Sequence, residues 1–355
     1  MIKKTWINWV SLFANVWIAE FYLKQNWIDI KVANELINKR CLLYNYFYPD
    51  VDMVCWDISD KNIYDKILEK ARKNNCKFLL ATPPCQWMSI AWQRNYSDPR
   101  NSLVLKAIEM IKDLGVDYAI IENVPKIMTL YVDYQWKQML IKDLIISELS
   151  PLGYNVLPVI LDAADYWTPQ YRKRAFFLIS KKWTRKIPTK QKQITVEEAI
   201  WFLPSLESGE TSKIPYHYAK THNERQILAM KHTPTWCSAH HNKIYYPKRE
   251  DWSRVKWYDT TYKRIDRDKP SPTITMSCWS ISSQNNVHPW RLKQDWTYSD
   301  ARVLSLKELF ILMWLPENIK IPMEEDRCSD NLIRQVIWEW IPPRLVENIV
   351  KNMPK

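Results

Sequence analysis

The stretch KFLLATPPCQ, residues 77–86, decides how the fold of this chain is interpreted. Residues 78–81 form an apolar run with the length of a buried strand, and the two prolines after it end any strand. Cys85 therefore lies beyond the carboxyl end of a predicted strand, where open α/β sheets hold their ligands. A thiol reacts only as thiolate, and a structural cysteine needs no such activation, so the role of Cys85 depends on its neighbours.

Apolar runs of strand length alternate with amphipathic helical stretches on both sides of this segment. We predict strands at 7–12, 28–33, 53–55, 78–81, 118–122, 154–161 and 175–180, and helices at 19–25, 38–46, 63–74, 103–114 and 138–149. Such alternation predicts a doubly wound α/β fold with a mostly parallel sheet. Candidate site residues stand at five strand ends, where we expect them to form one site: Phe13, Glu35, Asp57, Cys85 and Glu122.

Two charged motifs follow the cysteine. The run IIENV, residues 120–124, ends an apolar strand with Glu122, and QYRKR, residues 170–174, places Arg172 and Arg174 two residues apart. Side chains two apart share one face of an extended strand. Each group alone has an ordinary structural explanation, since carboxylates form salt bridges and arginines form surface pairs. Together with Cys85 they indicate an activated nucleophile.

The order PPCQ, ENV and QxRxR resembles that of the DNA cytosine-5 methyltransferases of bacterial restriction-modification systems. Further blocks similar to this family are SLFA at 11–14, NE at 34–35, DI at 57–58, RVLSLKE at 302–308 and IPP at 341–343. The resemblance covers nearly the whole chain. It implies a Rossmann-like catalytic and cofactor-binding domain at 1–180, a smaller, irregular β-rich target-recognition domain at 181–300, and a C-terminal segment at 301–355 that returns to the catalytic domain.

The resemblance also implies a reaction. A methyl group would pass from S-adenosylmethionine to C5 of a flipped-out cytosine in a specific DNA sequence, through an adduct between Cys85 and C6. Glu122 would contact the N3 edge of the base, and Arg172 and Arg174 its O2. Cofactor binding would fall to Phe13, Ala14, Asn15, Val16, Trp17, Ile18, Glu35, Leu36, Asp57, Ile58, Pro84 and Leu103. Base and strand contacts would fall to Gln86, Ser89, Asn123 and Gln170.

Charge and cysteine content limit the partners. The net charge is +12, and residues 181–300 hold 21 Lys and Arg against 12 Asp and Glu. This excess indicates a surface for a polyanion such as double-stranded DNA, although a solvated basic surface would look the same.

Seven cysteines without CxxC spacing argue against a disulfide framework and favour a reducing cytoplasm. We expect no metal site, no membrane span and a monomer, with a cognate restriction endonuclease as a possible partner.

Two other functions fit the same residues. A tRNA cytosine-5 methyltransferase would share the catalytic blocks, but the basic region of about 120 residues favours DNA, because sequence readout in the major groove needs such a module. A non-catalytic DNA-binding relative would keep the fold and would bind DNA without using Cys85.

The composition contains an anomaly, with 3 Gly and 20 Trp in 355 residues. Average usage would give about 25 Gly. Tryptophan also stands where the resembled family has glycine, and we call these the family glycine positions: Trp17, Trp56, Trp87, Trp92, Trp167, Trp314, Trp338 and Trp340. An indole suits neither a turn with positive φ nor a close approach to a ligand. Our hypothesis is that the host reads UGA as glycine, and that the gene was translated with UGA as tryptophan.

Overall fold

The computed structural model describes residues 6–16, 18–84, 103–182, 186–289, 291–323 and 328–351. The chain divides into two compact units. The first unit comprises Met1–Asp162, Lys173–Thr189 and Leu345–Lys355, and the second comprises Ala163–Arg172 and Lys190–Arg344. The expected three-part division at residues 180 and 300 remains a prediction.

A seven-stranded sheet forms the centre of the first unit. The described strands are β1 Ile7–Leu12, β2 Ile28–Glu35, β3 Asp52–Cys55, β4 Phe78–Ala81, β5 Tyr118–Asn123, β6 Tyr131–Tyr134, β7 Lys137–Leu140, β8 Asn155–Asp162 and β9 Lys173–Ser180. The sheet order is β3-β2-β1-β4-β5-β9-β8, while β6 and β7 form a separate hairpin. The first five strands are parallel, and β9 runs antiparallel to both β5 and β8. The predicted doubly wound, mostly parallel sheet is confirmed.

Most of the predicted helices are present. The described helices are α1 Asn38–Phe47, α2 Lys61–Lys73, α3 Leu103–Leu114, α4 Ile141–Leu149, α5 Val196–Ile200, α6 Glu224–Lys231, α7 Leu306–Leu312, α8 Asp330–Glu339 and α9 Pro343–Lys351. The helix expected at 19–25 is instead two 3-10 turns, at Ile18–Glu20 and Lys24–Asn26. Short α5 and α6 lie within the region expected to be irregular and β-rich, and the side chains of Thr195 and Asn223 cap their first turns.

The second unit is irregular, as expected for residues 181–300. Between 186 and 289 its backbone is joined by isolated β-bridges, such as Ser238 to Lys263 and Arg264 to Val287, in place of longer strand ladders. Backbone N–H and C=O groups in such loops are not paired in strand ladders, so those that are buried need other hydrogen-bond partners. Polar side chains in the interior of this unit can provide them.

A buried ionic network supplies those polar groups. The Arg302 guanidinium donates to both carboxylate oxygens of Glu308 at 2.9 Å and to Asp300 at 2.9 Å, and all three side chains are fully buried. Burial lowers the pKa of the adjacent His288 to about 4, which favours a neutral ring. Arg264 donates to five backbone carbonyl oxygens, those of Met230, His288, Pro289, Ser299 and Asp300. Arg264 thus holds several loops of the second unit together, and Arg302 joins Asp300 to Glu308.

The strands at the centre of the main sheet are buried along their whole length, and they are apolar except for Glu122 and Asn123 at the end of β5. Every residue of β4 and β5 is buried, as a parallel sheet covered on both faces requires. A disulfide joins Cys41 in α1 to Cys55 at the end of β3, a link that the argument from the odd number of cysteines did not anticipate.

Glu20 is a buried carboxyl group beside the loop that follows β1. Ser11 Oγ donates to Glu20 Oε1 at 2.9 Å, and the Glu20 residue is 3% exposed. Burial disfavours the ionised form and raises the pKa of Glu20 from 4.5 to about 7, while the bond from Ser11 opposes this shift. The folded protein therefore holds this proton over a pH range in which the unfolded chain has released it.

We expect Glu20 to make the protein less stable as pH rises. Its folded pKa lies above the unfolded value, so the stability it contributes is complete below about pH 4.5 and is lost as pH rises through about 7. The change amounts to about 3 kcal/mol. The free energy of unfolding, measured with urea between pH 4.5 and 8, should fall less steeply with pH in Glu20→Gln than in the wild type. The exposed Glu69 serves as a control, and Glu69→Gln should show the wild-type dependence on pH. Equal slopes for wild type and Glu20→Gln would contradict the assignment.

Candidate active site

The loop after β1 is tied to the ends of two neighbouring strands. The backbone N–H of Ala14 donates to Asn34 O at 2.8 Å, and Thr82 Oγ1 donates to Phe13 O at 2.9 Å. Phe13 and Asn15 have left-handed backbones, with φ of 58° and 53°. The carboxyl ends of β1, β2 and β4 therefore meet at one edge, as the sequence predicts for a ligand site.

Glu35 holds the two loops of this edge together. Its Oε2 accepts from the backbone N–H of Asn15 at 2.9 Å, its Oε1 accepts from that of Ile37 at 3.0 Å, and the residue is 6% exposed. Beside it, Asn34 Nδ2 donates to the carbonyl oxygens of Val54 and Trp56. Sequence reasoning did not assign a role to the Asn34 side chain, although a polar residue at the end of an apolar strand is a signal for one.

Other expected cofactor residues differ in exposure. Asp57 is exposed, with Oδ1 accepting from Ser59 N–H at 2.8 Å, and Leu36 is 55% exposed. Ile58 is buried in the core of the first unit. Of the remainder, Ala14 and Val16 are buried, Leu103 is partly buried at the start of α3, Pro84 is exposed, and Ile18 begins a 3-10 turn. Carboxylates at the ends of β2 and β3 fit a ligand that carries hydroxyl and amino donors.

Glu122 and Arg174 form a buried ion pair. Arg174 Nε lies 3.0 Å from Glu122 Oε1, and their side chains are 11% and 8% exposed. The pair follows from strand register, since Glu122 in β5 is opposite Phe176 in antiparallel β9. Arg174 is two residues from Phe176, on the same face, and is thus a diagonal neighbour of Glu122. The carboxylate is held in one orientation by a charged donor.

Asn123 connects β5 to the segment that precedes Cys85. Its Nδ2 donates to Pro83 O at 3.0 Å, and its Oδ1 accepts from Val124 N–H at 2.8 Å. The backbone two residues before Cys85 is therefore fixed to the strand that carries Glu122. Cys85 itself lies outside the described residues, as do Gln86, Ser89 and Trp17.

Arg172 and Gln170 belong to the second unit and are fully buried there. Arg172 Nε donates to Trp340 O at 2.7 Å, and its guanidinium also donates to Trp338 O. The Gln170 amide donates to Met313 Sδ at 3.2 Å and accepts from Ile274 N–H at 3.4 Å. These contacts give both residues a structural role, and their contacts with the base remain predictions.

An exposed loop of the second unit combines basic and aromatic side chains, and we call residues 246–258 the basic hairpin. A β-bridge pairs Lys248 with Arg254, and Lys248 Nζ and Arg254 Cζ lie 4.8 Å and 4.2 Å from the centre of the Tyr246 ring. Arg249, Arg254 and Lys256 are exposed. Such a surface offers positive charge and ring faces to a polyanion.

In the parts of the chain that the structure describes, no group of three or more His, Cys, Asp and Glu side chains is arranged to hold a metal ion. No helix there has the length and hydropathy to cross a membrane.

Comparisons with known proteins show the family and the fold of this chain. Residues 7–355 match the model of the C-5 cytosine-specific DNA methylases. The chain is 47% identical over 350 residues to the Type II methyltransferase M1.HgaI of Avibacterium volantium, covering 97% of each chain. Its fold is similar to a candidate DNA modification methyltransferase encoded in an E. coli prophage, with a TM-score of 0.69, 19% identity and 98% of each chain covered. It is also similar to Spodoptera frugiperda DNMT2, with a TM-score of 0.65, 14% identity and 98% and 99% covered.

The family match extends over nearly the whole sequence, and the similar solved structures share the fold. The resemblance found in the sequence blocks is thereby confirmed. This chain belongs to the C-5 cytosine-specific DNA methylase family.

Proposed function

We propose that this enzyme methylates cytosine C5 within one short DNA sequence, with Cys85 as the nucleophile and Glu122 and Arg174 as its partners at the base. The observation that carries the proposal is the pair of contacts at the end of β5. Arg174 orients the Glu122 carboxylate, and Asn123 ties the adjacent Pro83 backbone to the same strand. The carboxylate and the guanidinium thus lie at neighbouring ends of β5 and β9, and the segment that precedes Cys85 is bonded to the same end of β5.

C5 of cytosine is a poor nucleophile until another group adds to the ring. The Cys85 thiolate would bond to C6, so that the electron pair of the C5–C6 double bond becomes available at C5. Glu122 would contact the N3 edge and stabilise the charge that develops there, and Arg174 would hold Glu122 for this contact. After methylation, a base removes the C5 proton, the double bond re-forms and the thiolate leaves.

S-adenosylmethionine, when bound, would supply a methyl group on a positively charged sulfur, and a carbon nucleophile can take this methyl because the sulfur leaves as a neutral thioether. Phe13, Glu35 and Asp57 would hold it, at the ends of β1, β2 and β3. Glu35 accepts hydrogen bonds from backbone N–H groups in the loops after β1 and β2. It would therefore keep this edge of the sheet in the shape that the cofactor needs. Asp57 is exposed and offers an acceptor for an amino group.

A target within a duplex has to leave the base stack, and the enzyme must hold the strand while this happens. The basic hairpin provides charged and aromatic groups for such contacts. The similarity to a Type II methyltransferase supports a place in a restriction-modification system, with an endonuclease that acts on the same site. We further propose that the enzyme acts as a monomer on DNA.

Covalent trapping tests the nucleophile. Bisulfite sequencing of DNA from an expressing host would first identify the target, and a duplex with 5-fluorocytosine at that position would then be offered with S-adenosylmethionine. Fluorine cannot leave as a proton, so we expect an adduct that survives a denaturing gel. Cys85→Ser should abolish it, and Cys237→Ser, at an exposed cysteine, should not.

The trapping experiment should be run on the chain as given and on the chain with glycine at the family glycine positions. An adduct with cytosine in tRNA and none with DNA would identify the tRNA enzyme instead. DNA binding without an adduct in both chains would favour the non-catalytic relative.

The role of Glu122 predicts a loss of rate with little loss of binding. Glu122→Gln keeps the size of the side chain but removes its charge, so we expect kcat for methyl transfer to fall by about 10²–10⁴-fold. Affinity for target DNA, measured by fluorescence anisotropy, should change less than threefold, about 0.7 kcal/mol. A Glu122→Gln enzyme with wild-type kcat would refute the role.

The basic hairpin predicts a change in salt dependence. If Arg254 contacts a phosphate, Arg254→Ala should reduce the slope of log K against log salt by about 0.9 for duplex DNA of any sequence. Lys66→Ala, at an exposed position on α2 in the first unit, is the matched control and should leave the slope unchanged. Equal slopes for Arg254→Ala and wild type would exclude Arg254 from the DNA contact.

A further inference from the structure

Left-handed backbone conformations in this protein are concentrated at one residue type. Among the described residues, sixteen positions other than glycine have positive φ, and eight of them are tryptophan. We call these the left-handed tryptophans: Trp27, Trp56, Trp136, Trp167, Trp236, Trp252, Trp296 and Trp314. Glycine is the usual residue at positive φ, and a bulky residue there is an outlier. Five of the eight are not among the family glycine positions, so they are an independent observation.

The hairpin between β6 and β7 shows why glycine is expected. Tyr134 pairs with Lys137, which leaves Gln135 and Trp136 as a two-residue turn with φ of 48° and 64°. Positive φ at both central residues defines a type I′ turn, whose second position strongly favours glycine. The Trp136 side chain is fully exposed, so no packing compensates for its backbone conformation.

Two further loops share a single geometry. Trp252 N–H donates to Arg249 O, and Trp296 N–H donates to Lys293 O, both at 3.1 Å. The first residue of each loop then donates across it, Arg249 to Ser253 and Lys293 to Thr297. This is the three-residue hairpin in which a type I turn is followed by a left-handed residue, usually glycine. In both loops aspartate precedes the tryptophan, and Asp-Gly is a strong turn signal.

Helix ends supply a comparison with a glycine in this same chain. At the end of α7, Trp314 N–H donates to Ile311 O and Leu315 N–H donates to Phe310 O. This is the Schellman arrangement, which places a left-handed residue, commonly glycine, after the helix. Gly153 occupies the same position after a 3-10 turn, with φ of 82° and equivalent bonds from Gly153 and Tyr154. Trp27 repeats the pattern after Lys24–Asn26.

The remaining three tryptophans are also in turns or strand ends. Trp236 is the third residue of a turn closed by a bond from Cys237 N–H to Pro234 O, and has φ of 62°. Positive φ at this position is what a type II turn requires, and glycine provides it. Trp167 has φ of 64° between Tyr166 and Thr168. Trp56 has φ of 98°, outside the left-handed region that other residues enter.

We propose that the native protein has glycine at all eight left-handed tryptophans, and that their codons are UGA read as glycine. The argument uses backbone geometry and would hold whatever reaction the enzyme performs. It extends the composition anomaly to Trp27, Trp136, Trp236, Trp252 and Trp296, which no family pattern had marked.

One of these positions also bears on the cofactor edge. Trp56 joins β3 to Asp57, its carbonyl accepts from Asn34 Nδ2, and its indole is 60% exposed. Glycine at this position removes a large side chain next to Asp57, which is proposed to accept from an amino group of the cofactor. Restoring glycine should therefore strengthen cofactor binding as well as relieve the unfavourable backbone conformation.

The nucleotide sequence gives the direct test. We expect UGA at all eight codons, and peptide mass spectrometry of the protein from its own host should read glycine there. UGG at these codons, or tryptophan in the peptides, would overturn the proposal.

A stability experiment tests the physical reason independently of the gene. Three full-length chains are compared in urea unfolding, with tryptophan, alanine or glycine at all eight positions. Each restored glycine should raise the folding equilibrium constant by about 5- to 30-fold over alanine at that position. Gly153→Ala provides a control at a native left-handed glycine and should lower the constant by a similar factor. If the alanine and glycine chains unfold at the same urea concentration, positive φ is not the cause and the proposal fails.

Discussion

The buried pair of Glu122 and Arg174 is the interaction on which the candidate site depends. Both side chains are almost removed from water, so each charge needs the other. Removing one partner of such a pair typically costs about 3–5 kcal/mol, because the remaining charge is left without compensation. The pair exists only where β9 runs antiparallel to β5. A reversal of strand direction in an otherwise parallel region thus brings a cation to the end of β5.

The same edge of the sheet collects contacts from four side chains at three strand ends, those of β2, β4 and β5. Asn34, Glu35, Thr82 and Asn123 each bond to backbone from a neighbouring loop, so the loops after β1, β2 and β4 are fixed by side chains at the ends of strands. Parallel strands end at one edge, and this geometry gathers polar groups that are distant in sequence. In the second unit, by contrast, the buried guanidinium groups of Arg264 and Arg302 donate hydrogen bonds to other loops. Both arrangements satisfy buried polar groups, which would otherwise destabilise the fold.

The sequence predicted the strands of the main sheet well, but it missed the hairpin of β6 and β7 and several short helices. Strands β1 and β4 and helix α3 have the expected bounds because their apolar runs are continuous or strongly periodic. The region at 19–25 has helical composition but forms 3-10 turns, with Glu20 bonded to Ser11 and a left-handed residue at position 27. The helix α5 has only five residues, too few for periodicity, and its capping box was the available signal. Helix α8 was not predicted either, although Ser329 caps it.

The sequence by itself determined the fold class, the order of the family blocks and the excess of tryptophan over glycine, because these depend on residue type and local order. Only the tertiary structure decided which side chains meet. It paired Arg174 with Glu122, bonded Arg172 to the carbonyl oxygens at the end of α8, and assigned a left-handed backbone to tryptophans at eight turns and strand ends. Strand register and loop closure bring together residues that are far apart in the chain. Arg172 and Arg174 are only two residues apart, and they therefore have different partners.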